Sequence, residues 1–306
     1  MTYSKKLRII TKEVYIVLKK QAFMIIGMLL LTSLLVGCRM EMSRSEWCNR
    51  YGFAEDEVFD IEIGNYGFPY IDTEINGHQI KMMYDTGNMV GISVTSEVAK
   101  QLGLTKIDGI MQTRVDTGGL FLGRLNVFAS AKVNVFGWEV TPEMIYETFS
   151  NGIDGLLPPS LLLDYRVTID YKNKFMGISK NSFPEKHMKK ETFPLIVNPL
   201  QPGLPVIAGE VNGEQVLIML DTGCSRTCVD EELINKLSLP ANEWGYEIRE
   251  VRLGSFKFPI NNAKKVSYAG INRGYPGPIM LCLGSDIISK VVFTVDYPNE
   301  KVILSE

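Results

Sequence analysis

The chain has 306 residues, of which 45% are hydrophobic and 22% charged, the composition of a globular protein rather than a disordered one. The formal net charge is −3, but six cationic residues stand against Glu13 alone within residues 1–37. The remainder holds 26 cationic and 34 anionic side chains, a net charge of −8. An acidic body argues against nucleic acid as a partner, because phosphate binding needs a basic face.

Residues 1–37 have the pattern of an export signal. Basic residues precede an apolar run from about Ala22 to Val36, which leads into Leu35-Val36-Gly37-Cys38. The run is shorter than the roughly 20 residues that a membrane-spanning helix needs. The segment resembles a bacterial lipoprotein signal peptide, which implies removal of residues 1–37 and lipidation of Cys38. An uncleaved signal anchor is the alternative, and either reading places the remaining chain outside the cytoplasm, attached to a membrane.

Residues 38–58 are polar and predict an irregular tether, after which the chain contains an internal repeat. Gly67-Phe68-Pro69 and Asn76-Gly77 precede Asp85-Thr86-Gly87, and three matching motifs recur in the same order downstream. These are Gly203-Leu204-Pro205, Asn212-Gly213 and Asp221-Thr222-Gly223. The spacing from the first Gly to the Asp is 18 residues in both copies. We therefore predict two similar units over 59–180 and 193–306, joined by a polar linker over 181–192.

Each copy is predicted to be rich in β-strand. The extended runs 71–75 and 206–211 are each followed by Asn-Gly, the strongest short hairpin signal. The apolar runs 80–84 and 216–220 then return toward the two Asp-Thr-Gly motifs. Helical spacing of apolar residues predicts short helices over 96–102 and 230–237.

The repeated Asp-Thr-Gly motif suggests a shared carboxylate pair. Glycine permits a tight turn, and the threonine hydroxyl can bond across to the partner loop. Two carboxyl groups within about 3 Å cannot both ionise, so Asp85 and Asp221 would share one proton. One group could then act as a base toward water while the other acts as an acid toward a carbonyl oxygen.

On these motifs, and on Gly155-Leu156-Leu157 and Cys282-Leu283-Gly284 downstream, the chain resembles the aspartic peptidases of the pepsin and retropepsin type. It is most similar to bacterial retropepsin-like lipoproteins with two such units, and the resemblance spans about residues 60–306. It implies an all-β, bilobal acid-protease fold built from two tandem units. It also implies an endopeptidase with Asp85 and Asp221 as catalytic residues, supported by Thr86, Gly87, Thr222 and Gly223. No metal or other cofactor is implied, and the expected substrate is a peptide or protein bound to a monomer.

Three features depart from, or complicate, this resemblance. Asn88 and Cys224 follow the motifs where the family usually has Ser, Thr or Ala, and Pro158 replaces the glycine expected behind Asp85. A third Asp-Thr-Gly at 116–118 follows a polar segment and has no counterpart in copy two. Gly118 and Gly119 are interpreted as turn residues of the flap, the hairpin that covers substrate in the family.

Two alternatives remain open from sequence. The chain could be an inactive peptidase-like lipoprotein that binds peptide, or its two units could face partner units in a homodimer. The two histidines, His78 and His187, lie apart from any cluster with metal-ligand spacing, so zinc or Ser-His catalysis is not expected. Cys48, Cys224, Cys228 and Cys282 could pair in three ways, and no disulfide is assigned.

Overall fold

A computed structural model of the chain describes residues 41–115, 121–149, 152–184 and 189–306. The predicted signal segment, Cys38, Gly118, Gly119 and His187 lie outside the described residues. The predicted all-β class is confirmed, since strands dominate and helices are short. Among the described residues, no helix has the length and apolar character needed to cross a membrane.

The helices are α1 (Arg44–Tyr51), α2 (Ser96–Gln101), α3 (Glu231–Leu237) and α4 (Ser285–Ile288), with 3-10 turns at Glu55–Glu57 and Pro159–Leu162. The strands up to residue 179 are β1 (Val58–Asp60), β2 (Glu62–Ile63), β3 (Pro69–Ile75), β4 (His78–Tyr84), β5 (Ser93–Thr95), β6 (Lys106–Val115), β7 (Phe121–Ala129), β8 (Val133–Val135), β9 (Trp138–Val140), β10 (Met144–Thr148), β11 (Gly155–Leu157), β12 (Arg166–Asp170) and β13 (Phe175–Ser179). The later strands are β14 (Lys190–Pro194), β15 (Val206–Val211), β16 (Glu214–Leu220), β17 (Cys228–Asp230), β18 (Ala241–Asn242), β19 (Gly245–Leu253), β20 (Phe256–Val266), β21 (Ile279–Leu283), β22 (Val292–Asp296) and β23 (Lys301–Ser305).

Each half of the chain forms its own sheet. The two sheets are built around equivalent hairpins, β3–β4 in the first half and β15–β16 in the second. In the first half the order is β6-β7-β10-β5-β11-β4-β3-β8-β9, with β2 paired to β3. In the second half the order is β15-β16-β21-β17-β20-β19-β18, and an added β15–β19 pairing closes six strands into a ring. Both halves contain a parallel pair behind the hairpin, β4 with β11 and β16 with β21. The repeat seen in sequence is therefore a repeat of topology.

A third sheet joins the halves, in the order β1-β13-β12-β22-β23-β14. Its middle pair is antiparallel, and Thr168 of β12 lies opposite Thr294 of β22 with their hydroxyl oxygens 2.8 Å apart. These two threonines occupy matching places in the two copies. A local two-fold axis therefore passes between them, and one hydrophobic core runs from each half into this sheet.

The prediction of an irregular tether over 38–58 is wrong for the part that the structure describes. Residues 44–51 form α1, whose Ser43 cap and Glu46 make a reciprocal capping box. Trp47 is fully buried, stacks on Phe53 and donates its indole N–H to Asp170 over 2.9 Å. Burial of large aromatic rings outweighs the polar surface of the segment, so it packs as part of the body.

The linker also is shorter than predicted. Residues 185–188 lie outside the described part of the chain, but β14 begins at Lys190 and pairs with β23 through Pro194. On the other side, Phe183 is buried. The residues around the predicted linker thus supply an edge strand of the shared sheet.

The two predicted short helices are confirmed as α2 and α3. Thr95 caps α2 by accepting from the N–H of Val98, and Asp230 caps α3 by accepting from Glu232. Each helix directly follows a short strand, β5 or β17, that lies beside the parallel strand pair of its half. These caps fix where the chain turns away from the loops described next.

Candidate active site

Two β-hairpins carry Asp85 and Asp221 to the middle of the molecule. In the first, Tyr70 pairs with Met83, and in the second Val206 pairs with Met219. Both hairpins turn through Asn-Gly with positive φ at each residue, as the sequence predicts. The two registers coincide when residue numbers are shifted by 136, the separation of Asp85 from Asp221.

Each aspartate is held by the strand that runs behind its loop. The N–H of Asp85 donates to Leu157 of β11, and the N–H of Asp221 donates to Leu283 of β21, both over 3.0 Å. Pro158 and Gly284 follow these carbonyls at equivalent places. Pro158 has φ −82° and ψ 154°, a conformation natural to proline, so its replacement of glycine leaves the bond behind Asp85 intact.

The two threonines bond across to the opposite loop, as predicted. The Thr86 hydroxyl donates to the Leu220 carbonyl over 2.8 Å and accepts the N–H of Thr222 over 2.9 Å. The Thr222 hydroxyl donates to the Tyr84 carbonyl over 2.6 Å and accepts the N–H of Thr86 over 2.9 Å. Both side chains are buried, so these four bonds lock the loops together away from water.

The glycines of the two motifs leave room for the partner carboxyl group. A Cβ atom on Gly87 would lie 2.5 Å from Oδ2 of Asp221, and one on Gly223 would clash in the same way with Asp85. Each glycine N–H also donates to the Oδ1 atom of its own loop's aspartate, over 2.9 Å in the first loop and 2.8 Å in the second. Each carboxyl group thus lies directly above the opposite loop.

Asp85 and Asp221 are hydrogen-bonded to each other and form one titrating pair. Burial raises the pKa of Asp85 to about 6, and the hydrogen bond from Asp221 limits that rise. Burial and the negative charge of Asp85 raise the pKa of Asp221 well above its ordinary value. Asp221 therefore retains the shared proton while Asp85 ionises, and both groups come from one chain, so no second copy is needed to assemble the pair.

Asn88 and Cys224, the residues that follow the two motifs, bond to groups within their own loops. The Asn88 amide is used within its own loop: Oδ1 accepts from the N–H of Val90 over 3.0 Å and Nδ2 donates to Gly91 over 2.8 Å. The Cys224 thiol bonds to the Arg226 carbonyl over 2.9 Å and lies 3.7 Å from the sulfur of Cys228. Their side chains stabilise loop shape rather than extending the acid pair.

Two clefts adjoin Asp85. One has a volume of about 650 Å³ and extends from Asp85 and Gly87 between the two halves, to Gln112 and Thr113 of β6 and to Lys264 of β20. A second cleft of about 400 Å³ contacts Asp85 and Gly223. Its lining includes the polar residues Thr148 and Ser225 and the apolar side chains of Tyr66, Phe68, Met83, Phe149, Ile153 and Leu156. An extended molecule could pass over Asp85 from one cleft into the other.

The β6–β7 hairpin borders the larger cleft with its two arms. Gln112 and Thr113 come from β6, and Leu122 and Leu125 from β7. Gly118 and Gly119 of the predicted flap belong to the segment that the structure does not describe, so their interpretation as flap residues stays a prediction.

The sequence interpretation missed two groups of residues at the site. Lys264 and Lys265 reach the cleft from the end of β20, and only the parallel β17–β20 register places them there. Cys282 and Cys228 lie opposite each other on β21 and β17, which brings a group of thiols beside Asp221. The cysteine spacing alone carried no sign of this, because 54 positions separate the two strands' residues.

The chain matches neither a known protein-family model nor a curated protein.

Proposed function

We propose that this protein is an aspartic endopeptidase with a bilobal acid-protease fold. The observation that carries the proposal is the hydrogen-bonded pair of Asp85 and Asp221 at the meeting point of two equivalent loops. Two topologically similar halves that share a central sheet support the fold assignment. The resemblance of both motifs to those of aspartic peptidases agrees with it.

The mechanism follows from the different affinities of the two carboxyl groups for a proton. Ionised Asp85 takes a proton from a water molecule bound between the groups, and the water oxygen attacks the carbonyl carbon of the peptide bond. Asp221 donates its proton to the carbonyl oxygen. The tetrahedral intermediate collapses when Asp85 passes its proton to the departing amine and the C–N bond breaks. One hydroxyl group of the intermediate returns a proton to Asp221 as the new carboxyl group forms.

The clefts favour an extended peptide with apolar side chains near the bond that is cleaved. Leu156 borders both clefts, and Met89 and Val90 are exposed at the rim of the larger one. Glu147 and Lys265 add charges of both signs farther along this cleft. Apolar contact close to the carboxyl pair would exclude water other than the attacking molecule.

We also propose that the body is exported and held at the membrane by lipid on Cys38. Metabolic labelling with an alkyne-bearing fatty acid tests this part separately. Label should appear on the wild-type protein and disappear in Cys38→Ser. Absence of label from wild type would point to an uncleaved anchor, and unchanged label in Cys38→Ser would reject lipidation of Cys38.

The peptidase proposal is tested with the full chain in detergent micelles and an unfolded, fluorescently labelled protein as substrate. Wild type should cleave it, and Asp221→Asn should lose at least 100-fold in rate, since a catalytic acid of this kind contributes a factor of this order. Asp72→Asn, an exposed change on β3 in the same half of the molecule as Asp85, is the matched control and should keep the rate. Equal rates for wild type and Asp221→Asn would refute the peptidase. Peptide binding without cleavage in all three proteins would indicate a binding protein instead.

A further inference from the structure

Beside the carboxyl pair lies a cluster of thiols for which peptide hydrolysis has no use. The four cysteines that the structure describes are free thiols. Three of them, Cys224, Cys228 and Cys282, lie close together. Cys224 lies between Cys228, at an Sγ–Sγ distance of 3.7 Å, and Cys282, with which it also shares a hydrogen bond. The ligand atoms of Asp221, Cys224 and Cys282 lie within 4.8 Å of one another.

We propose that Asp221, Cys224 and Cys282 form a Zn²⁺ site, and that zinc bound there switches the carboxyl pair off. Only the inhibition by zinc rests on the proposed peptidase function. Zinc binding itself does not depend on it.

The donor set suits zinc. The ligand atoms of Asp221, Cys224 and Cys282 lie within 4.8 Å of one another, so small side-chain rotations would bring all three onto one ion. Two sulfurs and one carboxylate oxygen suit zinc, whereas Mg²⁺ and Ca²⁺ prefer oxygen alone. Three protein ligands leave the fourth position of a zinc tetrahedron open.

The ligands stand on a rigid frame. Cys282 of β21 pairs with Cys228 of β17 and with Met219 of β16, the strand that leads directly to Asp221. Cys224 is held from behind, since its carbonyl accepts the N–H of Ser285 over 2.7 Å. Ligands fixed by neighbouring strands lose little conformational entropy on binding a metal.

Charge and access also favour a cation here. Two thiolates and a carboxylate around Zn²⁺ carry a net charge of −1, and Lys264 lies nearby, opposite Cys228 across the β17–β20 pair. Cys224 is partly exposed and gives a metal ion a path to the buried sulfurs.

Zinc bound here would occupy the carboxyl group of Asp221, which catalysis needs in its protonated form. Each thiol that binds releases a proton, and Asp221 must give up the shared proton to become a ligand. Asp85 then has no acidic partner to protonate the carbonyl oxygen. Zinc should therefore inhibit hydrolysis, and a chelator should restore it.

The test begins with binding and needs no enzyme activity. The full chain is purified in detergent micelles with a thiol-free reductant, stripped of metal and titrated with Co²⁺ and then Zn²⁺. We expect one ion per chain and an intense sulfur-to-cobalt charge-transfer band that zinc abolishes. Cys224→Ser and Cys282→Ser should weaken zinc binding at least 100-fold, whereas Cys48→Ser, which changes a buried thiol of α1, should bind as wild type does. Circular dichroism of each variant confirms that it is folded.

Asp221→Asn removes the carboxylate ligand and leaves the thiols in place, and it should weaken zinc binding about 10- to 100-fold. Zinc retained at full affinity in Cys224→Ser would place the metal elsewhere and overturn the proposal. So would the absence of binding when thiol titration shows all three sulfurs reduced, or a Cys224–Cys228 disulfide that persists under that reductant. Stoichiometric zinc binding by a chain that cleaves no substrate even after its metal is removed would refute the peptidase and leave the metal site standing.

Discussion

Replacing Thr86 with valine removes one hydroxyl while keeping the shape of the side chain, and its effect should appear 136 positions away. The hydroxyl accepts the N–H of Thr222 and donates to the carbonyl of Leu220. Valine leaves both of these buried backbone groups unpaired. Each unpaired group costs about 1–3 kcal/mol, so opening of the second loop should become easier by about 2–6 kcal/mol.

Hydrogen exchange resolved to single amides measures this directly. At 1.4 kcal/mol for each factor of ten, exchange of the Thr222 amide should accelerate about 30- to 20,000-fold in Thr86→Val. Thr86→Ser keeps the hydroxyl and should stay within about tenfold of wild type. Amides of the β19–β20 hairpin that exchange by local opening of that hairpin alone serve as the reference and should not change. Unaltered exchange at Thr222 in the valine variant would refute the cross-loop bonding on which the paired loops depend.

Four further predictions concern the pair and its support. Because burial raises the pKa of Asp85 to about 6, kcat/KM should rise with pH up to about 6. It should remain high while Asp221 keeps its proton and fall at the higher pH where Asp221 ionises. A pH–rate profile that is highest near pH 3 would contradict this. The raised pKa of Asp221 means that the folded chain binds its proton more tightly than the unfolded chain, which stabilises the fold below about pH 4 and less as pH rises. Asp221→Asn keeps this side chain neutral at every pH, so its Tm relative to wild type should rise between pH 4 and pH 8, and calorimetry at both pH values checks the sign. Gly87→Ala puts a Cβ atom 2.5 Å from Oδ2 of Asp221 and should cost about 100-fold in rate, whereas Gly277→Ala, which has open space around it, should cost nothing in the same assay. Trp47→Phe removes a buried N–H donor to a carboxylate and should lower the free energy of unfolding by about 1.5–3 kcal/mol in thermal denaturation; a loss below 0.5 kcal/mol would show that α1 adds little.

Much of the site could be predicted because its residues are fixed by local sequence. Asn76-Gly77 and Asn212-Gly213 each specify a tight turn, and the turn sets the register that brings the next strand to the aspartate. The threonine and glycine roles follow from the need to hold two turns close together. A repeat with equal spacing then implies that the two aspartates occupy equivalent places.

What escaped sequence reasoning depends on contacts between distant segments. The residues of α1 look polar, yet Trp47 and Tyr51 are buried against the shared sheet; the Ser43–Glu46 capping box was the available signal for a helix. The thiol cluster depends on the antiparallel pairing of Cys228 with Cys282, a register that no local turn specifies. Asn88 and Pro158 depart from the family pattern in the first loop. The bonds that keep this loop in place are visible only in three dimensions.

The central claim, that Asp85 and Asp221 together hold one activated water molecule, is tested most directly with a peptide that contains a statine residue. Its hydroxyl group occupies the place of the attacking water and bonds to both carboxyl groups at once. Calorimetry with metal-free wild-type chain should show stoichiometric binding, and both Asp85→Asn and Asp221→Asn should weaken it at least 100-fold. Equal affinity for wild type and either variant would contradict the claim.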